Sequence, residues 1–230
     1  MSDRPRLLDL FCGAGGCAKG YHDAGFEVVG VDHLPQPHYP FEFIRADAMS
    51  FLDGRRMDVY DAIHASPPCQ GYSAMARCVK TKAPRLIVEL RRHLVRIGLP
   101  YVIENVEGAP LDCPVMLCGT MFGLRVRRHR LFEMSPNVLV LTPPCQCRNG
   151  VIRGRLIGHR AGGKVAPGRT KPPPATESMR RDAIGVPWMT GREARQAIPP
   201  AYTAFIGRQL RRAGCRGSGT AGCKGGGGRE

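Results

Sequence analysis

The chain has 230 residues, and its 34 Lys and Arg against 19 Asp and Glu give a formal net charge of +15. The length suits one large domain, or one domain with a small appendage. No run of about 18 apolar residues could span a membrane, and the start MSDRPRLLDLF has neither an h-region nor a small-residue cleavage site, so no signal peptide is expected. The charge bears on partners more than on fold: a polyanion, nucleic acid first, is favoured over a membrane surface because no basic amphipathic helix stands out. Ten cysteines spread through a chain with its own core suit a reducing cytoplasm rather than a disulfide scaffold.

In chain order, RLLDLF (6–11) reads as a short buried strand with GAGG directly after it. CAKGYHDAG has a helical rhythm that closes at Gly25, a C-cap signal. FEVVGVD (26–32) is a strand ending on a carboxylate, and VYDAIHAS (59–66) is another that runs into SPPCQGYSAM. RLIVELRRHLVRIG (85–98) is amphipathic at helical spacing through Leu86, Leu90, Leu94 and Ile97. PYVIENV (100–106) and RLFEM (130–134) are further strands. From about Thr142 to Arg181 the chain turns rich in Pro, Gly and Arg, as a short recognition module or loop would be. REARQAIPPAYTAFIGRQLRR (192–212) is helical with a break at Pro199–Pro200, and residues 214–230 form a glycine-rich tail expected to be disordered.

Strands alternating with helices predict an α/β fold with a doubly wound parallel sheet, in which ligands bind beyond the carboxyl ends of the strands. The expected division is a core over 1–134, a basic segment over 135–190, a helical segment over 191–213 that completes the core, and the tail. This arrangement puts the glycine loop, Asp32, the Cys69 loop and Glu104 along one edge. Gly13, Gly15 and Gly16 fall between a strand and a helix, where glycine lets the backbone turn sharply and approach a ligand closely. No Gly-Lys-Ser/Thr follows, so the loop is not a P-loop. Asp32 ends its strand at the distance where a ribose hydroxyl pair is gripped. Asp47, after a third strand, is placed to reach an adenine amino group or simply to cap a helix. Together these suit a nucleoside cofactor without a long phosphate tail. Two prolines fix the backbone ahead of Cys69, which on these residues alone is a packing residue, a metal ligand or a nucleophile.

DLFCGAGG, SPPCQGYS, IENV and RVRRHRLFE, in that order over roughly residues 6–134, resemble the DNA (cytosine-5) methyltransferase family. The resemblance implies a Rossmann-like sheet, S-adenosylmethionine as methyl donor, and a cytosine flipped out of double-stranded DNA. It implies a catalytic set of Cys69, Glu104, Arg128 and Arg130. Cys69 would add as thiolate to C6 of the ring, Glu104 would hold or protonate N3, Arg130 would grip O2, and Arg128 would order the loop or the adduct. It assigns Phe11, Gly13, Gly15, Gly16, Asp32, Asp47 and Pro68 to the cofactor. Gln70, Ser73, Asn105, Arg125 and Arg127 fall to substrate or DNA, with GYSAM starting a mobile loop that closes over the DNA. A monomer working in the cytoplasm, nucleoid-associated when bound, is the expected setting.

Three features depart from the family pattern. Val126 stands where the arginine motif usually has Gln. The recognition region is much shorter than in sequence-specific members, so relaxed or short-site specificity is expected. The Gly-Asn of the last motif is missing, and Gln196 or Ala197 stands near the matching place. Two other readings use the same residues: a catalytically silent DNA-binding homologue, and an RNA cytosine-5 methyltransferase. A zinc site pairing Cys145-x-Cys147 with Cys113-x4-Cys118 has little support, because neither pair has the two-residue ligand spacing and no His lies at a supporting interval, so no metal is expected.

Overall fold

A computed structural model describes residues 4–72, 84–136, 138, 140–147 and 176–213, together with the backbone of 155–156. Ser73 and the rest of the expected mobile loop, most of the Pro-Gly-Arg segment and the tail lie outside the described residues. The backbone begins β1 (Arg6–Leu10), α1 (Gly16–Asp23), β2 (Glu27–Asp32), β3 (Glu42–Arg45), α2 (Ala48–Gly54) and β4 (Ala62–Ala65). It continues with α3 (Ile87–Ile97), β5 (Tyr101–Asn105), β6 (Val115–Leu117), a 3-10 turn (Gly119–Phe122), β7 (Val126–Arg127), β8 (Arg130–Met134) and β9 (Arg155–Leu156). α4 (Glu177–Ile184), α5 (Gly191–Gln196) and α6 (Pro200–Arg212) close it. No described helix is long and apolar enough to cross a membrane.

Seven strands form one sheet in the order β3-β2-β1-β4-β5-β8-β6. The first five run parallel, and β8 lies antiparallel between β5 and β6. The five parallel strands are the doubly wound α/β sheet that the alternating pattern predicts, Rossmann-like as the resemblance implies, and the antiparallel β8 and β6 extend it. β7 and β9 pair separately. Central parallel strands are covered on both faces, which is why β1 is apolar at successive positions instead of alternating. Leu7 packs with Tyr21 of α1 and with Tyr202, Ile206 and Leu210 of α6 on one face. Leu8 packs with Phe51 and Leu52 of α2 and Leu90 and Leu94 of α3 on the other. The stripe of α3 is Ile87, Leu90 and Leu94, with Leu86 serving as N-cap, and the helix stops at Gly98 in the left-handed conformation (φ 76°).

The element that closes the fold comes last in the chain. The Pro199–Pro200 break separates α5 from α6, and Pro200 starts α6 where a missing N–H costs nothing. α6 then lies against α1 closely enough for the Thr203 hydroxyl to donate to the Cys17 carbonyl at 2.9 Å. Two glycines allow this approach: a methyl on Gly20 would collide with the Pro200 carbonyl and Thr203 Oγ1, and one on Gly207 with Ala24 Cβ. β3 and α2 were not delimited from the sequence, although a strand ahead of Asp47 was expected. β3 is an edge strand whose end residues Glu42 and Arg45 are exposed, so it carries little apolar signal.

Gly20→Ala should therefore lower stability by about 1–3 kcal/mol, the usual cost of overpacking. A urea titration should show a reduced midpoint with an unchanged slope. An unchanged midpoint would mean that α6 does not dock on α1 as described.

Candidate active site

The strand order reverses between β1 and β4. Their ends are level, with Leu10 beside Ala65. The loops that follow, Phe11–Gly15 and Ser66–Gln70, leave the sheet at this switch point, and a cavity of about 780 Å3 opens above it. Its walls include Asp9, Phe11, Gly13, Gly16, Asp32, Pro68, Cys69, Gln70, Glu104, Arg128, Arg130, Gln196 and Ala197.

On the side of the glycine loop the backbone is held in conformations that few residues tolerate. Gly13 (φ 50°) and Gly15 (φ 86°) are left-handed, and so is Phe11 (φ 57°), a placement that costs a non-glycine residue of order 1–3 kcal/mol. Asp32 accepts the Gly13 N–H at 3.1 Å and the Leu34 N–H at 3.0 Å, which fixes its carboxylate at the rim. The Trp188 indole N–H donates to the Ala14 carbonyl at 3.0 Å and anchors the loop to the C-terminal part of the chain. Asp9, below the loop, is fully buried, and its carboxylate has no hydrogen-bond partner among the described residues. Burial, reinforced by repulsion from Asp32, pushes the Asp9 carboxyl well above the usual carboxylate range. DLFCGAGG includes Asp9, which no sequence expectation gave a role; its signal is a carboxylate among the leucines of β1, Leu7, Leu8 and Leu10.

On the other side, Cys69 stands after Pro67–Pro68 in the loop that leaves β4, and its carbonyl accepts the Tyr72 N–H at 3.0 Å. Glu104 and Asn105 are adjacent on β5 and so point to opposite faces. Glu104 faces the cavity, while Asn105 turns away and donates from Nδ2 to the Pro67 carbonyl at 2.9 Å, holding the proline turn against β5. Arg130 Nε lies 3.1 Å from Glu104 Oε1. Burial raises the Glu104 pKa; attraction to Arg130, a hydrogen bond from Ser66 and attraction to Arg128 oppose this without cancelling it. Arg128 donates from one nitrogen to the Arg195 and Gln196 carbonyls, both at 3.0 Å, and so ties the end of α5 to the cavity wall. Burial lowers its pKa to about 10.

A buried polar chain supports Glu104 from behind. The Tyr21 hydroxyl meets His64 Nδ1 at 3.0 Å, His64 Nε2 meets Ser66 Oγ at 2.9 Å, and Ser66 bonds Glu104. His64 is wholly buried, and desolvation pulls its pKa down to about 3, so it is neutral. Nothing in HAS, within an apolar strand, marks these residues except that the segment runs directly into the cysteine loop.

Several expected site residues stand elsewhere. Asp47 is exposed and off the cavity wall; its Oδ1 accepts the Ser50 N–H at 2.9 Å as the N-cap of α2, which lowers its pKa. Gly15 shapes the loop without lining the cavity. Arg125 is exposed and Arg127 lies on β7, both off the cavity wall. Val126 packs with Ile184, Val186 and Met189, a cluster in which the amide of a Gln would be buried among apolar groups.

Residues 5–109 match the model of the C-5 cytosine-specific DNA methylase family. The chain is 27% identical to the Type II methyltransferase M.AquIA of Picosynechococcus sp., over 85% of this chain and 90% of that one. It is 28% identical to the Type II methyltransferase M.AgeI of Thalassovita gelatinovora, over 78% of this chain but only 44% of the relative. In fold it resembles the crystal structure of a protein described as a DNA modification methyltransferase encoded within a prophage of E. coli. The TM-score is 0.59 at 14% identity, with 91% of this chain and 99% of the other covered.

The buried His64 makes stability acid-sensitive. Unfolded His64 takes up a proton near its ordinary pKa of 6.5, whereas in the native protein it stays neutral down to about 3. Its contribution is therefore present above about pH 6.5 and lost as pH falls below it, by up to about 1.4 kcal/mol per pH unit. His64→Gln should flatten melting temperature against pH in that window, and parallel curves for the two proteins would contradict the burial of His64.

Proposed function

We propose that the chain is a C-5 cytosine-specific DNA methylase, the family whose model matches residues 5–109, and that it methylates cytosine C5 through a transient bond between Cys69 Sγ and ring C6. The observation that carries this reading is one cavity at the switch point lined by Cys69, Glu104, Arg130 and the glycine loop.

The cavity has the size of a small-molecule site. Its cofactor half offers the amide-held Asp32, the unpartnered Asp9 and the face of Phe11. These suit a ligand rich in hydroxyl and amino donors that carries positive charge, and S-adenosylmethionine is such a ligand. Bound there, it supplies a methyl group on a sulfonium, an electrophile that C5 of an unactivated cytosine is too weak to attack.

The residues of the other half supply the activation. The Cys69 thiolate forms the S–C6 bond and pushes the ring electrons toward C5 and N3. Glu104, kept protonated by burial, donates at N3, so the ring becomes a neutral enamine whose C5 is nucleophilic. Arg130, beside Glu104, is placed to turn to the base O2. After methylation the C5 proton is lost to a bound water, the S–C6 bond breaks to regenerate the thiolate, and the N3 proton returns to Glu104. The target atoms are covered in a duplex, so the base must be turned out into the cavity. The net charge of +15 suits the DNA backbone, and the Type II relatives point to a role in restriction and modification.

Incubation with S-adenosylmethionine and duplex DNA should yield 5-methylcytosine, detected by mass spectrometry of the nucleosides. Cys69→Ala should reduce the product to background, and Glu104→Gln should lower kcat by about 10²–10⁴. Because the carboxyl must hold its proton, wild-type kcat should fall as pH rises through the elevated Glu104 pKa, and the Gln variant should lack that limb. Product formation by Cys69→Ala, or a methylated exocyclic amine in place of C5, would overturn the mechanism.

A further inference from the structure

Behind the arginine loop, four soft ligands from three separate stretches of chain converge. Cys118 follows β6, His129 lies between β7 and β8, and Cys145 and Cys147 follow β8. Their ligand atoms all lie within 4.8 Å of one another. Cys118 Sγ and Cys147 Sγ are 3.3 Å apart, and Cys145 Sγ and His129 Nε2 are 3.6 Å apart. A tetrahedral zinc with bonds of about 2.3 Å to sulfur and about 2.0 Å to nitrogen has S···S edges of about 3.8 Å and S···N edges of about 3.5 Å. Two of the pairs sit near those separations, and all four atoms lie within 4.8 Å of one another, close enough for one ion to gather them.

We infer that Cys118, His129, Cys145 and Cys147 form a structural zinc site that moors the start of the basic segment to the loop carrying Arg128 and Arg130. The groups around the ligands fit the role. His129 Nδ1 lies 3.3 Å from Glu107 Oε1, an arrangement that leaves the Nε2 lone pair for a metal. The Cys147 N–H donates to Cys145 Sγ at 3.4 Å, and the Thr120 hydroxyl to Cys118 Sγ at 3.4 Å, so two of the sulfurs receive the donors that thiolates favour. Three sulfurs and one imidazole select zinc among common divalent ions, and four protein ligands leave no open position for catalysis. Cys113, the partner suggested by spacing alone, is exposed and outside the cluster. The mooring follows from position. His129 stands between the two site arginines, Cys147 leads into the segment, and β9 of that segment pairs with β7, next to the same loop.

Full-length protein purified without chelators should contain about one zinc per chain by elemental analysis. Cys113→Ser should keep it, and Cys145→Ser/Cys147→Ser should lose it. Cobalt(II) added to metal-depleted wild-type protein should give the intense visible bands and thiolate charge transfer of a tetrahedral Cys3His centre, a readout independent of whether the variants fold. Metal depletion should also weaken DNA binding. Zinc well below one per chain without a cobalt–thiolate spectrum, including the case of a Cys118–Cys147 disulfide, would overturn the site. Stoichiometric zinc with DNA affinity unchanged on depletion would overturn the mooring role.

Discussion

The functional geometry depends on the parallel pairing of β1 with β4. That pairing levels Leu10 with Ala65, so the glycine loop and the cysteine loop leave the sheet at the same edge. β2 and β3 extend from one side of the junction, β5 and β8 from the other. Asp32 on β2 and Glu104 on β5 thereby both line the cavity that opens beyond the ends of β1 and β4. The long-range contacts reinforce this placement. Asn105 holds Pro67, Trp188 holds Ala14, and Arg128 holds the end of α5, so three walls of the cavity are joined by single side chains. The packing of α6 on α1 supports the same edge from below.

Two carboxylates at the site are held by different partners. Asp32 is nearly buried, and its carboxylate is fixed by two backbone N–H groups. Glu104 is buried, and its pKa is raised even though Arg130 is only 3.1 Å away. One group is suited to gripping hydroxyls and the other to holding a proton. The neutral His64 stands behind Glu104 through Ser66 and orients it without adding charge. A proton placed on that histidine would add a third positive charge near Glu104, beside Arg130 and Arg128, and weaken its hold on its own proton.

The sheet was legible because its central strands are short, apolar and punctuated by glycine and proline; β8 falls on RLFEM as read. Cys69, Glu104 and Arg130 were legible through their motifs, and the fold places them on one cavity. Where position in a strand decides, sequence was silent. The family resemblance placed Asn105 with the substrate or DNA contacts, while alternation along β5 turns it to the back of the cysteine loop, where it bonds Pro67. Asp47 suits a ligand contact or a helix cap equally well in sequence, and its bond to Ser50 shows the cap. The edge strand β3 has no buried residue, and the two-residue strands β7 and β9 are too short to leave a pattern. The Cys3His cluster could not be read from spacing, since its ligands come from three stretches and its histidine is embedded among arginines.

The central claim is that Cys69 bonds to C6 of a cytosine turned out of DNA. Duplex DNA carrying 5-fluorocytosine tests it most directly, because fluorine at C5 leaves no proton to remove and the enzyme cannot release the base. With S-adenosylmethionine present, a denaturation-resistant complex should form, and peptide mapping should find the modified nucleotide on Cys69. Absence of a covalent complex, or attachment at another residue, would contradict the account.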